Sequence, residues 1–177
     1  GSEMCIRDSD NTQYDEIRYE GIANNGVFLI IETLTDNKNR TASEIRTILN
    51  KNGGVLGETG SASFNFEKIG EVKYDSQNIS KEKFFDFSID KNALDVIEEG
   101  PYLISTCNPE NFSKFRDVLE IEFGEPKKSE LIWKAKNPIK LEPDIEKKVL
   151  SLIELLEESD DIQRVFSNIS LNQDLEE

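Results

Sequence analysis

The stretch from residue 27 to residue 67 constrains the fold most, because strand, turn and helix signals follow one another there without a gap. Val27–Leu34 is mainly apolar and is typical of a buried strand. A polar turn leads into a helix predicted for Thr41–Lys51, which Gly53-Gly54 ends. Polar and apolar residues then alternate over Ala62–Phe66, which predicts a half-buried strand. The stretch therefore predicts a β-α-β unit.

The start of that helix is predicted from a capping motif. Thr41-Ala42-Ser43-Glu44 has the form in which a hydroxyl caps one backbone amide and Glu44 reaches back to another. Apolar residues recur at helical spacing on one face, namely Ala42, Ile45, Ile48 and Leu49. Because Arg46 and Lys51 lie off this face, we expect them to contact solvent.

A second unit with the order β-α-β-β-α-β is predicted for residues 71–136. Ser80 can cap its first helix, Gly100-Pro101 marks a hairpin, and Pro109 begins its second helix, which Gly124 ends. Leu131–Trp133 is the predicted closing strand. This order is that of a ferredoxin-like split βαβ arrangement.

The last helix and strand suggest that one domain is split. A helix begins at Pro143, and Ile162, Arg164 and Phe166 are predicted to face one way on a short strand. Since this α-β pair needs a sheet, we expect its strand to pair with Val27–Leu34 or Ala62–Phe66. The sequence thus predicts an α+β protein of two ferredoxin-like α/β domains, the first split around the second.

The domain boundaries follow from these patterns. Residues 14–70 with 137–168 are predicted to form the discontinuous first domain, and residues 71–136 the inserted one. Residues 1–13 are expected to be a disordered or non-native lead, because the first nine show no hydrophobic period. Residues 169–177 are expected to be an acidic tail.

Composition excludes several classes of function. The net charge is −15 and the chain has no His, so His-based catalysis and most zinc sites are excluded. Cys5 and Cys107 are isolated, and no signal peptide or apolar span is evident, which predicts a cytoplasmic protein without membrane contact. The glycine-rich run at residues 53–60 leads from a helix into a strand and lacks Lys, unlike a phosphate-binding loop. We expect no enzyme activity, cofactor or metal.

Basic residues are concentrated in one segment. Residues 36–51 carry four basic and two acidic residues, a balance of +2, whereas residues 142–177 carry three basic and eleven acidic residues, a balance of −8. The candidate nucleic-acid-binding residues are Lys38, Arg40, Arg46 and Lys51, which can contact phosphates from one turn and one helix. The alternative is an ordinary solvated helix face.

An ordered set of motifs resembles a known family. YEG, NGVFLIIE, TDNKNRTASEIR and KNGGVLGETGSASFNFEK resemble the YebC/PmpR family, whose mitochondrial relatives act as a translational activator for cytochrome oxidase. The resemblance covers about residues 14–168 and implies two α/β domains, the middle one interrupted by the last. No part of this sequence matches the family's N-terminal basic helical domain with its H-S-K-W start, and we expect that domain to be absent. Thr47 also stands where relatives usually carry His, and Asn24-Asn25-Gly26 replaces a Gly-Pro-Gly-Gly turn.

The resemblance implies a DNA-binding transcriptional regulator. The first alternative is a ribosome-associated translation factor that contacts ribosomal RNA, and the second is a ferredoxin-like sensing module that binds no nucleic acid. No predicted helix is rich in the Arg, Asn and Gln side chains that read base edges, which favours local phosphate contacts. Without the basic N-terminal domain, we expect binding to DNA or ribosomal RNA to be weak.

Overall fold

The computed structural model describes residues 13–170, so the segments 1–12 and 171–177, which contain most of the expected lead and tail, lie outside the described residues. The strands are β1 (Asp15–Ala23), β2 (Val27–Thr35), β3 (Gly54–Gly57), β4 (Phe66–Asp75), β5 (Asp95–Glu99), β6 (Tyr102–Cys107), β7 (Lys128–Ala135), β8 (Ile139–Lys140), β9 (Ile162–Ser167) and β10 (Ile169–Ser170). The helices are α1 (Lys38–Lys51), α2 (Lys81–Asp90), α3 (Phe112–Phe123) and α4 (Pro143–Glu157). This mixture of helices and mainly antiparallel strands confirms the α+β class.

The chain divides into two compact units. The discontinuous unit comprises the described residues up to Glu67 together with those from Lys134 onward, and the continuous unit comprises Lys68–Trp133. Each unit has its own apolar core, one around Leu29, Ile45 and Leu152 and the other around Val72, Phe84 and Leu119.

The discontinuous unit contains a four-stranded antiparallel sheet in the order β3-β1-β2-β9. Alternate residues of β2, such as Leu29 and Ile31, are buried in the core with residues of α1 and α4. Strand β9 pairs antiparallel with β2, which is one of the two pairings that the sequence predicts for the strand near Ile162. Strand β1 is missing from the sequence prediction, in which Val27–Leu34 is the first strand of this unit.

The continuous unit has the sheet order β5-β6-β4-β7 and contains α2 and α3. Ser80 caps α2 by accepting a hydrogen bond from the Lys83 amide at 3.4 Å, as predicted. Its core is rich in aromatic rings, with Tyr74 in edge contact with Phe84 and with Phe123. The predicted order of elements in this unit is confirmed.

The predicted cap of α1 is wrong. The helix begins at Lys38, and its N-cap is Asn37, whose Oδ1 accepts a hydrogen bond from the Arg40 amide at 3.1 Å. Thr41 lies inside the helix, where its hydroxyl is buried 2.7 Å from Thr35 Oγ1. The helix starts earlier because the short side chain of Asn37 caps it. The Thr41 hydroxyl instead forms hydrogen bonds with Thr35 and Asp161.

Two strand predictions also need correction. The alternation over Ala62–Phe66 is not one strand, because a 3-10 turn occupies Ser63–Asn65 and β4 begins only at Phe66. In β9, Ile162 pairs with Thr33 and Arg164 with Glu32, so the register shifts by one residue. Ile162 therefore belongs to the core beside the helices, whereas Arg164 and Phe166 lie on the opposite face.

Candidate nucleic-acid interface

All four candidate basic residues lie on α1 and are exposed, but they do not form one stripe. At 3.6 residues per turn, Arg46 is rotated about 80° from Lys38, and Lys51 about 20° from Arg40. The first pair and the second pair therefore point to different sides of the helix. The four charges therefore lie on one helix, but they do not form a single row that could contact successive phosphates.

Arg40 is held by two carboxylates. Its Nη2 donates to Asp36 Oδ1 at 2.8 Å and to Asp161 Oδ1 at 2.9 Å, and its Nε donates to Asp161 Oδ2 at 3.2 Å. Hydrogen bonds to Asp161 and then to Asp36 raise the pKa of the guanidinium. A phosphate at Arg40 would have to compete with both carboxylates, so the geometry favours a role for Arg40 in positioning α1.

Asp161 is the centre of this ion-pair cluster. Its side chain is only 13% exposed, and its Oδ2 lies 2.8 Å from the Thr41 hydroxyl. Burial by itself would raise the pKa of Asp161, but hydrogen bonds from Arg40 and Thr41 hold that pKa below its usual value. The Asp161 carbonyl also accepts from the Leu34 amide at 2.9 Å. Asp161 is therefore a largely buried partner of α1 and not a solvated acid of the turn before β9.

Lys38, Arg46 and Lys51 have their charges available. Within residues 13–170, none of these three side chains forms an ion pair. Lys51 occupies the last turn of α1, where a cation also interacts favourably with the helix dipole. These three residues are the part of the candidate set that can contact phosphates without first breaking an internal pair.

Arg46 lines a groove of about 420 Å³ at the edge of β1, which we call the edge groove. Its walls are residues 17–20 of β1, Ala42 and Arg46 of α1, and residues 56–59, which end β3 and begin the next loop. Arg18 also lines it, so the groove brings together two arginines that lie far apart in the sequence.

Glu20 is a buried carboxylate that the sequence prediction missed. Its Oε2 accepts from the Gly60 amide at 2.8 Å, and its Oε1 accepts from the Ala62 and Ser63 amides at 3.0 and 2.6 Å. Burial would raise the pKa of Glu20, but these hydrogen bonds hold it below its usual value. The available signal was the last of three acids in the strand DEIRYEGIA, because it directly precedes the uncharged end Gly21-Ile22-Ala23.

A row of alternating charge was missed as well. In the strand register, Arg18 of β1 lies opposite Glu32 of β2, and Glu32 in turn lies opposite Arg164 of β9. Arg164 also lies over the Phe166 ring, with its Cζ 4.4 Å from the ring centroid. Only the pairing of three strands puts these residues side by side, so no local pattern could indicate the row.

Two other kinds of feature are absent from the described residues. In the described part of the chain, no helix is both long and apolar enough to span a membrane. Nor do residues 13–170 contain a group of three His, Cys, Asp or Glu side chains placed to hold a metal ion.

Known proteins resemble this chain over most of its length. The family model for the TACO1/YebC second and third domain matches residues 14–169. A probable transcriptional regulatory protein of Rickettsia akari (strain Hartford) is 43% identical over 172 residues, which cover 96% of this chain and 68% of that protein. The crystal structure of a conserved hypothetical protein from Aquifex aeolicus matches with a TM-score of 0.84 and 31% identity, covering 94% of this chain and 69% of that one.

Proposed function

Because this chain belongs to the TACO1/YebC family, we propose that it serves as a DNA-binding transcriptional regulatory protein without catalytic activity, acting in the cytoplasm. The observation that carries the proposal is the family match over residues 14–169, together with the name of the relative that is 43% identical. The family match also supports equating the discontinuous unit with the second domain and the continuous unit with the third. The split at residues 67 and 134 lies close to the predicted boundaries.

The proposal includes a ferredoxin-like arrangement for the continuous unit. Its elements follow the order β-α-β-β-α-β, and its sheet order β5-β6-β4-β7 places the two central strands, β4 and β6, antiparallel to each other. The discontinuous unit runs β-β-α-β before the other unit and β-α-β-β after it. For that unit the topology supports only the α+β description.

We assign phosphate contacts to Lys38, Arg46 and Lys51, and a positioning role to Arg40. The first three cations can neutralise phosphates, and this term supplies most of the affinity in non-specific DNA binding. The chain carries −15 overall, so its binding is expected to be local and strongly salt-dependent.

A salt titration tests the proposal. Binding of duplex DNA is followed by fluorescence anisotropy for the natural chain and for a variant with Lys38, Arg46 and Lys51 changed to Gln. We expect weaker binding to all sequences and a salt slope reduced by about 0.9 for each phosphate that the variant no longer neutralises. The matched control changes Lys140, Lys147 and Lys148 to Gln, which removes the same charge elsewhere in the same unit. Equal effects of the two variants, or no duplex binding at low salt, would overturn the proposal.

A translation factor that contacts ribosomal RNA is the second candidate. It is favoured by the division of the α1 cations between two sides of the helix, because paired readout of base edges needs several side chains on one face. Salt-sensitive co-sedimentation with ribosomes, without selection of a duplex sequence, would support this candidate over the first.

A further inference from the structure

Strand β5 forms one edge of the sheet in the continuous unit. Among the described strands it pairs only with β6. An edge strand presents a row of backbone N–H and C=O groups that have no partner in the sheet, so another strand can pair with it. Four of the five residues of β5 are exposed, and Val96 is half-buried. In the described part of the chain, this edge is therefore open along its whole length.

Exposed apolar side chains lie along the same edge. Ile97, in the middle of β5, is 38% exposed, and Leu94, which directly precedes the strand, is 52% exposed. The Leu94 amide donates to the Thr106 carbonyl at 2.7 Å, so Leu94 is also held against β6. An added strand would cover these side chains as well as the free backbone groups.

Two acidic side chains flank Ile97 on one face of the sheet. Val96 packs on the aromatic core of the unit. Because side chains alternate along a strand, Asp95, Ile97 and Glu99 lie on the opposite face, in a row that we call the β5 row. Asp95 and Glu99 form no ion pair among the described residues. The β5 row therefore has an acid–apolar–acid pattern with two unpaired carboxylates.

The cations near this edge have other partners. The remaining acid of β5, Glu98, lies 3.6 Å from Lys81 Nζ. Lys73 and Lys127 lie over the Tyr102 ring, 5.0 and 5.5 Å from its centroid. Lys73 belongs to β4, which is two strand spacings, about 10 Å, from β5. The charges of the β5 row are therefore left to be matched by a partner.

We propose that β5 binds an extended basic segment of a partner protein as an added strand, with a basic–x–apolar–x–basic sequence that matches the β5 row. A second copy of this chain fits badly. Antiparallel pairing of two β5 strands about Ile97 would place Asp95 of each copy opposite Glu99 of the other, and like charges directly opposite each other destabilise a sheet. Lys or Arg at those positions stabilises it instead, while backbone hydrogen bonds supply affinity. This interaction goes beyond DNA binding and does not depend on it.

The test measures fluorescence anisotropy of a labelled synthetic peptide with the core Lys-Thr-Val-Thr-Lys, added to the whole chain at low salt. The control peptide has Glu in place of both Lys residues. We expect the basic peptide to bind and the acidic peptide not to bind. Asp95→Asn and Glu99→Gln should each weaken binding of the basic peptide by about two- to fivefold, because each removes one cross-strand charge pair.

Charge reversal gives a sharper test of the same row. Asp95→Lys together with Glu99→Lys should exchange the preference, so that the acidic peptide binds and the basic one does not. The matched control is Glu110→Lys with Glu122→Lys, which reverses two exposed acids elsewhere in the unit and should keep the preference for the basic peptide. A thermal melt of each variant checks that the fold is kept.

Backbone methylation separates strand addition from simple charge attraction. One basic peptide is N-methylated at its two Thr residues and another at its Lys and Val residues, so that each blocks one edge of the peptide. Because only one edge of an added strand faces β5, we expect one of these peptides to bind and the other to lose binding. The binding peptide should also slow hydrogen exchange at amides of β5.

Three outcomes would overturn the proposal. They are no binding of the basic peptide, equal binding of the acidic peptide, and equal affinity of the two methylated peptides. Self-association of the natural chain that competes with the peptide would identify a second copy as the occupant of β5 and would also overturn it. Loss of duplex binding with intact peptide binding would contradict the proposed function alone.

Discussion

Arg40 and Asp161 form a two-point ion pair across 121 residues of sequence, with Nη2 2.9 Å from Oδ1 and Nε 3.2 Å from Oδ2. The pair joins the first turn of α1 to the turn that precedes β9. It therefore ties the two sequence segments of the discontinuous unit together. Arg40 is therefore paired within the fold, whereas Lys38, Arg46 and Lys51 form no ion pair among the described residues.

Asp161→Asn is expected to destabilise the fold more than Arg40→Gln. Asp161 is 13% exposed and accepts hydrogen bonds from both Arg40 and Thr41, whereas the Arg40 side chain is 49% exposed and can be solvated when its partner is removed. Loss of the Asp161 acceptor should lower the free energy of unfolding by about 1–3 kcal/mol. Urea denaturation measures the free energy of unfolding, and Asp160→Asn, at an exposed neighbour, is the control. A larger loss of that free energy in Arg40→Gln or in the control would contradict the central role of Asp161 in the ion-pair cluster.

Stability is expected to fall in acid through two carboxylates. The pKa values of Glu20 and Asp161 lie below their usual values in the folded chain, so the unfolded chain takes up protons first as pH falls. Their contribution is fully present above the ordinary carboxyl pKa of about 4 and is lost as pH falls through the lower folded pKa. In the double variant Glu20→Gln with Asp161→Asn, the free energy of unfolding should fall less steeply between neutral pH and about pH 3 than it does in the natural chain. Identical slopes would show that other groups control acid stability.

Glu20→Gln should loosen the loop that carries Phe64. A Gln side chain has one carbonyl oxygen and an NH₂ group that cannot accept from the amides of Gly60, Ala62 and Ser63. We expect faster hydrogen exchange at these three amides and a loss of about 2 kcal/mol in unfolding free energy. Glu16→Gln, on the same strand but exposed, is the control. Unchanged exchange at the loop amides would count against Glu20 as its anchor.

Local signals in the sequence predicted the elements whose causes are local. Ser80 caps α2, Pro143 opens α4, and Gly124 ends α3 with a φ of 85°, all within a few residues of the element that they define. The strand pairing of β9 was also within reach, because an isolated α-β pair needs a sheet.

The features that escaped prediction depend on distant partners. Glu20 accepts hydrogen bonds from amides about 40 residues away in the sequence. The bulge that turns Ile162 to the other face lies in the pairing of β2 with β9. Thr41 shows why a motif can mislead, since its hydroxyl fits a capping box but is taken up by Thr35 and Asp161. In the candidate site, the local concentration of positive charge indicated α1. Only the tertiary ion pairs of Arg40 distinguish it from Lys38, Arg46 and Lys51, which have no such pairs among the described residues.

Gly70→Ala should destabilise the continuous unit. A Cβ at this position of β4 would lie 2.5 Å from Phe112 Cδ1 and 2.9 Å from Cys107 Sγ, so packed side chains must move. Overpacking of this kind costs about 1–3 kcal/mol. Thermal unfolding should show a lower Tm, and adding Phe112→Leu should recover part of the loss. Full stability of the Gly70→Ala variant would show that the site has room for a methyl group.

The most direct test of the account compares Arg46→Gln with Arg40→Gln in the salt dependence of duplex DNA binding. Both remove one positive charge from α1, but only Arg46 has no carboxylate partner among the described residues. We expect Arg46→Gln to lower affinity and to reduce the salt slope by about 0.9, and Arg40→Gln to leave the slope unchanged. A reduced slope for Arg40→Gln with an unchanged slope for Arg46→Gln would contradict it.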